Sequence, residues 1–234
     1  MHAHFLDIMM RQYWWKIVSV VLLLYTFTAG FLTPVPDLGN LHQSIRNLYF
    51  HVPMWAAMMT LFSVSVVNAV LYLRKPDPAY DLRSSRYAGT GMIFSLLGLV
   101  TGMIWARYSW GEFWSNDPKQ LGTAIAILIY LAYGVLRNSI TDLDKRGRVS
   151  AVYNIFAYCI LFPTIFILPR MVQSLHPGGQ GVEGNPGLGG DNLDPIMARV
   201  FFPAMIGWSL LAVWIASLQV RYSILHEKAT NHDA

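Results

Sequence analysis

Two histidines stand beside long apolar segments, where an imidazole can face both water and lipid. His51 lies in RNLYFHVP, at the start of one apolar segment, and His176 lies in QSLHPGG, just after another. Two neutral imidazoles on one side of a pocket suit axial ligation of a planar iron macrocycle. One such histidine alone is more often an ordinary interfacial residue, so the inference depends on the pair and on what lies between them.

An unusual concentration of aromatic residues lies between the two histidines in the sequence. The segment reads WARYSWGEFW, and it holds Trp105, Tyr108, Trp110, Phe113 and Trp114 within ten residues. The membrane interface attracts Trp and Tyr, which explains one or two aromatic residues per helix end but not this many. Trp110 and Trp114 are four residues apart, so on a helical turn they would share a face. The segment predicts a flat aromatic shelf in the interface, able to stack on a large planar ligand.

Charged residues around this segment could serve the same ligand. Arginine pairs carboxylates bidentately, so basic residues near the shelf are candidates for binding acidic substituents of a macrocycle. These candidates are Arg46, Arg107, Lys119 and Arg170. Snorkelling at the membrane interface is the alternative role for such side chains. Asp117 precedes Pro118, and this pair predicts the N-cap and first residue of a helix.

The elements that must position these residues are long apolar runs. Of the 234 residues, 54% are hydrophobic and 13% are charged, whereas soluble domains carry about 25% charged residues. Unpaired backbone cannot face lipid, so apolar runs long enough to cross a bilayer must be helices. We predict an all-α membrane protein with one membrane domain and spans at residues 15–32, 52–73, 88–106, 121–136, 151–168 and 196–220.

The distribution of basic residues predicts the orientation. One set of segments contains Arg11, Lys16, Arg74, Lys75, Arg83, Arg86, Arg137, Lys145, Arg146, Arg148, Arg221 and Lys228, which is most of the 17 basic residues. The positive-inside rule therefore predicts cytoplasmic termini and outer loops at residues 33–51, 107–120 and 169–195. The net charge of +4 is then a topology signal, and nucleic-acid binding is not expected. Residues 177–190 are glycine-rich, which predicts a flexible segment that is either a tolerated insertion, the interpretation we favour, or a mobile flap over the site.

The sequence resembles the haem-handling family of cytochrome c maturation proteins that is marked by a tryptophan-rich outer loop. The resemblance covers nearly the whole chain. Its anchors are RNLYFHVP, Trp105, Trp110-Gly111, Trp114, Asp117, Leu175-His176, Gly178, Asp194-Pro195 and Met197. The chain departs from the family pattern at Asn116 and Phe113, where tryptophan is usual, and at Pro177, where a polar residue is usual.

The resemblance implies a haem-delivery protein rather than an enzyme. It implies that His51 and His176 are the axial ligands of a non-covalent haem b, and that the aromatic segment and Asp117 hold the haem plane. The implied partners are a pair of ABC transporter subunits, a small helper subunit, membrane lipid and a periplasmic haem chaperone, all at the bacterial inner membrane. The final ligating enzymes of this group have extra spans and histidines, which this chain lacks.

Two other functions compete with haem delivery. A membrane di-haem electron-transfer subunit needs histidines inside the spans at two depths, and the sequence has none there. A transporter, or a structural subunit of one, would be expected to show internal repeats and broken midplane helices. The single cysteine, Cys159, has no thiol partner for redox chemistry, and we expect it to be a small buried residue.

Overall fold

The computed structural model describes residues 2–36, 41–176 and 193–230, and these residues are almost entirely helical. The glycine-rich residues 177–190 fall outside the described residues. The helices are α1 (His2–Leu32), α2 (Leu48–Arg74), α3 (Pro78–Trp110), α4 (Pro118–Ser139), α5 (Leu143–Phe162), α6 (Leu168–Met171) and α7 (Pro195–Thr230). A 3-10 helix, His42–Asn47, leads into α2, and a π-helical turn, Pro163–Ile167, joins α5 to α6.

The described residues contain six helical segments that are long and apolar enough to cross a membrane. Large apolar side chains such as Leu24, Val67 and Leu128 are exposed on their outer surfaces, as lipid-facing residues must be. The predicted all-α, multi-pass membrane architecture is confirmed. The expectation for Cys159 is wrong, because its side chain is exposed on α5 instead of packed in the bundle. A small apolar thiol is equally compatible with lipid, so the position of Cys159 in an apolar run could not distinguish a side chain packed in the bundle from one that faces lipid.

Local sequence signals set the ends of the helices. The carboxylates of Asp77, Asp117 and Asp142 accept hydrogen bonds from backbone N–H groups in the first turns of α3, α4 and α5. Gly111 has a φ of +88°, the left-handed conformation that glycine adopts easily, and it ends α3 directly after Trp110. The N-cap predicted for Asp117 is therefore confirmed.

The helices extend beyond the predicted spans, and this changes the setting of the candidate residues. Helix α2 begins at Leu48, and α3 runs through to Trp110. Polar residues at the end of an apolar span can continue the helix, and in α3 it is the left-handed Gly111 that ends it. His51 consequently lies in the first turn of α2, and both Trp105 and Trp110 lie on α3.

Helix α2 is the centre of the bundle, and small residues on α3 allow the two helices to come close. A Cβ atom on Gly91 would lie 2.7 Å from the Phe62 ring, and one on Gly98 would lie 2.8 Å from the Trp55 ring. Such small residues at helix contacts are typical of membrane bundles. The main core contains Phe62, which stacks on Tyr130 with ring centroids 3.7 Å apart.

A second apolar cluster lies at the end of the bundle where α2 begins and α3 ends. It contains the fully buried Tyr49 and Val200, with Met197 and the half-buried Trp105 packed around them. This cluster joins the beginning of α2, the end of α3 and the beginning of α7. It therefore fixes the backbone that carries His51 and the first part of the aromatic segment.

Candidate functional site

His51 is held by hydrogen bonds on both ring nitrogens. Its Nδ1 lies 3.2 Å from Thr101 Oγ1, and its Nε2 lies 3.3 Å from Trp55 Nε1. An indole N–H can only donate, so Nε2 is the acceptor and the neutral imidazole carries its hydrogen on Nδ1. The Thr101 hydroxyl donates to the carbonyl of Leu97 at 2.7 Å, which leaves its oxygen free to accept from His51. The lone pair on His51 Nε2 therefore accepts only a weak hydrogen bond, from the Trp55 indole.

The walls around the His51 ring are aromatic on two sides and glycine on a third. The ring centroids of Trp55 and Trp105 lie 6.0 and 5.9 Å from that of His51, both in edge-on geometry. A Cβ atom on Gly102 would lie 2.6 Å from His51 Cε1, closer than side chains approach. Because His51 is only 9% exposed, this slot is part of the packed end of the bundle and not a surface loop.

His176 lies just beyond α6, and a buried carboxylate orients it. Its Nδ1 lies 2.7 Å from Asp117 Oδ1, and its side chain is 19% exposed. The Nδ1–H donates to the carboxylate, so the neutral ring has its lone pair on Nε2. The Trp110 ring meets the His176 ring edge-on, with centroids 4.8 Å apart.

Asp117 organises the segment that carries His176 as well as capping α4. Its carboxylate accepts from Lys119 N at 2.9 Å, Ser174 Oγ at 2.8 Å and Leu175 N at 2.6 Å. Burial raises the pKa of the Asp117 carboxyl, but the hydrogen bonds from His176 and from those other donors hold this pKa below its usual range. The residue is a carboxylate, and a carboxylate on the remote nitrogen is the usual partner of a metal-ligating histidine.

The aromatic segment differs from the predicted helical shelf. Helix α3 ends at Trp110, and residues 111–117 are not helical, so Trp110 and Trp114 do not share a helical face. The left-handed Gly111 causes this break, and Asn116 also has a positive φ of 56°. Trp114 donates from Nε1 to Asn116 Oδ1 at 2.8 Å, and Phe113 is exposed. The segment is a helix end followed by an extended loop.

Both histidines lie at one end of the bundle, joined by α3. Trp105 contacts His51 and Trp110 contacts His176, and five residues of helix separate them by about 7.5 Å along the axis. His51 also lies within electrostatic reach of His176 and of Lys119. The geometry therefore brings together the two predicted ligands, Trp105 and Trp110 in one region.

Three of the four basic candidates bind backbone carbonyls at helix ends. Arg46 Nη1 donates to the carbonyls of Gly30 and Thr33, at 2.7 and 2.9 Å, and so closes the end of α1. Arg107 donates to the carbonyl of Gly111, and Arg170 donates to that of Phe166. Lys119 is half-buried in the first turn of α4. A guanidinium has five N–H donors, so these arginines retain donors for a ligand.

Sequence reasoning missed several residues that position the histidines. Trp55 follows His51 by four residues, and that helical spacing was a usable signal. Thr101 and Gly102 contact His51 from another helix, and no signal in the sequence links residues about 50 apart. Ser174 lies two residues before His176 and bonds the same carboxylate.

The donor set fits a haem better than a bare metal ion. The described part of the chain has no cluster of three or more His, Cys, Asp or Glu side chains that could hold an ion. Two neutral imidazoles, each with Nδ1–H engaged, can ligate through Nε2 to an iron whose other four ligands come from a macrocycle. The aromatic rings beside each imidazole suit the same planar group.

Fold and site together define a multi-pass α-helical membrane protein with paired histidines in an aromatic setting at one end of the bundle. The family model described as "CcmC: Heme exporter protein C" matches residues 2–234. The chain belongs to the heme exporter protein C family.

The curated relatives share most of the chain at low identity. "Heme exporter protein C" of Escherichia coli K12 is 25% identical over 214 residues, which is 91% of this chain and 83% of the relative. The protein of the same name from Paracoccus denitrificans is 24% identical over 200 residues, which is 83% of this chain and 78% of the relative. A putative cytochrome c biosynthesis ccmC-like mitochondrial protein of Marchantia polymorpha is 33% identical over 95 residues, 41% of each chain.

Proposed function

We propose that this protein binds haem b non-covalently through His51 and His176 and delivers it to a periplasmic haem chaperone during cytochrome c maturation. The observation that carries the proposal is the buried Asp117 carboxylate, 2.7 Å from His176 Nδ1, which orients that imidazole for ligation through Nε2. His51 has the same tautomer because Thr101 and Trp55 bind its two nitrogens. Family membership and the relatives' name, heme exporter, support the same cargo.

The surrounding residues would hold the haem plane and its acidic groups. Bound haem supplies an iron with two free axial positions and two propionates. Trp105 and Trp110 stand beside the two imidazoles, while Phe113 and Trp114 offer ring area on the adjoining loop. The propionates would pair with Lys119 and with remaining donors of the three arginines at this end, Arg46, Arg107 and Arg170.

The protein would transfer haem without covalent chemistry of its own. Release of haem requires axial ligands that can dissociate from the iron. The indole N–H of Trp55 bonds the ligating nitrogen of His51 and would compete with the iron for it. We infer that it works in the bacterial inner membrane with ABC transporter subunits and a small helper subunit, with its histidine site on the periplasmic side. The relatives' name, heme exporter protein C, is the support for these partners.

The spectrum of the purified protein tests the proposal. The wild type, His51→Ala, His176→Ala and the control His226→Ala would be purified in detergent and titrated with haem. We expect a Soret band with low-spin features in the wild type and in the control, whose histidine lies at the far end of α7. Both ligand variants should lose the low-spin features. A spectrum that is the same in all four proteins would refute the ligand assignment, and no haem binding in any of them would refute the function.

The alternative function, a membrane di-haem electron-transfer subunit, has less support. It requires a second histidine pair at another depth of the bundle. The remaining histidines are His2, His4, His42, His226 and His232, near the two termini or at the 3-10 helix before α2. A role as a structural subunit of a transporter would leave the Asp117–His176 pair without a purpose.

A further inference from the structure

A large cavity lies at the end of the bundle opposite His51 and His176. Its volume is about 1010 Å³, and its walls come from α3, α4, the first turn of α5 and the last turns of α7. This is at the upper limit of ordinary small-molecule sites, which span roughly 300–1,000 Å³. The proposed haem site does not use this cavity.

The cavity is apolar toward the middle of the bundle and charged toward the helix ends, where four arginines outnumber three acidic residues. Met92, Tyr130 and Leu131 lie well inside their helices, whereas Arg83 and Arg146 lie within two turns of a helix start. The other basic residues of the lining are Arg86 and Arg137, and its acidic residues are Asp81, Asp144 and Glu227. Such a division matches an amphiphile with a negatively charged head and an apolar tail.

Only part of this charge is neutralised inside the protein. Arg137 pairs bidentately with Asp81 through bonds of 2.7 and 2.6 Å, so both are satisfied. Arg83 and Arg86 are exposed and form no ion pair with a described residue. An external anion can therefore approach guanidinium groups that have no carboxylate partner.

Three buried polar atoms in the lining also need a partner. Arg146 Nε and the hydroxyls of Tyr130 and Tyr133 are buried and make no hydrogen bond to any described residue. Tyr130 is only 3% exposed. Because unsatisfied buried donors are rare and costly, a ligand with acceptor oxygens would complete this site.

The rim of the cavity is continuous with the lipid-facing surface. Leu131, Val135, Leu143 and Ile224 all line it, and their side chains are 39–72% exposed. A ligand whose tail lies in the bilayer can thus enter from the side. Basic pockets between spans on the cytoplasmic side are typical sites for anionic lipid head groups.

We propose that this cavity binds an anionic phospholipid, with the phosphate against Arg83, Arg86 and Arg146 and the acyl chains along Met92, Leu131 and Ile224. The shared chemistry, a phosphate, could also come from the free ion, so the test must separate these two sources. The apolar part of the lining, which opens onto the lipid-facing surface, favours the lipid, because a free phosphate ion has no acyl chain to place there.

Native mass spectrometry of the detergent-solubilised full chain tests this site. Wild type, the double variant Arg86→Gln/Arg146→Gln and the control Arg74→Gln would be compared with phosphatidylglycerol and phosphatidylcholine. Arg74 is exposed at the same end of the bundle but does not line the cavity. We expect the wild type and the control to retain phosphatidylglycerol in preference, and the double variant to bind it about thirtyfold more weakly.

A second variant keeps the test valid if the arginine variant does not fold. Gly134 lines the cavity, and a Cβ atom there would meet nothing within 4 Å, so the backbone accepts a side chain and Gly134→Leu should extend into the cavity. We expect it to exclude phosphatidylglycerol while the melting temperature is kept. Equal retention of the two lipids, displacement of phosphatidylglycerol by excess inorganic phosphate, or an equal loss in Arg74→Gln would each overturn the proposal.

Discussion

The hydrogen-bond partners of the two imidazoles differ, and this makes them unequal ligands. His176 donates to a buried carboxylate, whereas His51 donates to the hydroxyl of Thr101. A carboxylate on the remote nitrogen raises the basicity of a histidine ligand, and a hydroxyl does so less. Trp55 also occupies the ligating nitrogen of His51. One firm and one displaceable ligand suit a protein that must both capture and release its cargo.

The indole of Trp55 should weaken haem binding. Replacement by phenylalanine in Trp55→Phe keeps an aromatic residue at this position but removes the N–H that bonds His51 Nε2, together with part of the indole that packs on Gly98. A typical hydrogen bond contributes about 1 kcal/mol net, so we expect haem affinity to rise about fivefold and haem loss to slow accordingly. Transfer of bound haem to apomyoglobin, followed by visible absorption, measures both quantities.

The matched control for this variant is Trp208→Phe. Trp208 is half-buried, and its Nε1 is buried with no partner among the described residues, so the substitution removes an indole N–H that does not bond a histidine. Its haem affinity should stay at the wild-type value. A Trp55→Phe protein with unchanged or weaker affinity would mean that the indole does not compete with the iron.

Asp117→Asn tests whether Asp117 orients His176 for haem binding in addition to capping α4. We expect haem affinity to fall 10- to 100-fold, the usual effect of removing the carboxylate partner of a metal-bound histidine. The control is Asp142→Asn, because Asp142 caps α5 in the same way, accepting from Lys145 N at 2.7 Å, and touches no histidine. Equal haem affinity in the two variants would reduce Asp117 to a helix cap.

The difference in stability between the wild type and Asp117→Asn should depend on pH in a defined direction. The pKa of Asp117 is lowered in the folded state, so its contribution to stability is complete above the ordinary Asp pKa of about 3.9 and is lost as the pH falls through the lower folded value. The melting-temperature difference between wild type and Asp117→Asn should therefore be constant near neutrality and shrink in acid. A difference that grows in acid would contradict this sign.

At the scale of the helices, α3 is the element that places the site. Gly102 leaves room for the His51 ring, and Gly111 ends the helix so that residues 111–117 turn toward His176. Gly102→Ala would put a Cβ atom 2.6 Å from His51 Cε1, so the ring must move away from Thr101. We expect at least a tenfold loss of haem affinity in titrations, although alanine favours the helix itself.

Gly89→Ala on the same helix is the control, because a Cβ atom there meets nothing within 4 Å. It should bind haem as the wild type does, with a melting temperature that is equal or slightly higher. A loss in both variants would attribute the effect to the helix backbone, and a loss in neither would show that the His51 slot tolerates a methyl group.

The sequence predicts elements well where a local rule decides them, and less well where contacts between helices do. Apolar runs gave the six spans, and Asp117-Pro118 gave the start of α4, because each signal lies within one element. The prediction that Trp110 and Trp114 share a helical face was wrong, because the intervening Gly111 could either continue or end the helix, and it ends it. The contact of Gly102 with His51 joins residues 51 apart, and only packing reveals it.

At the scale of the whole molecule, the two ends of the bundle differ in chemistry. One end has the histidines, the aromatic segment and few basic residues, and the other has the arginine-lined cavity. The positive-inside rule predicts that the basic end is cytoplasmic. The proposed haem site would then face the periplasm, where a chaperone could receive the haem, and the proposed lipid site would lie in the inner leaflet.

Single cysteines at the two ends test this orientation. Glu112 and Ser139 are both exposed, the first in the loop after α3 and the second at the end of α4. Each would be changed to cysteine in a Cys159→Ser background, because the native thiol is also exposed. In spheroplasts, an impermeant maleimide should label Glu112→Cys at once and Ser139→Cys only after the membrane is permeabilised. The reverse result would put the histidine site in the cytoplasm, and delivery to a periplasmic chaperone would then be excluded for this face of the protein.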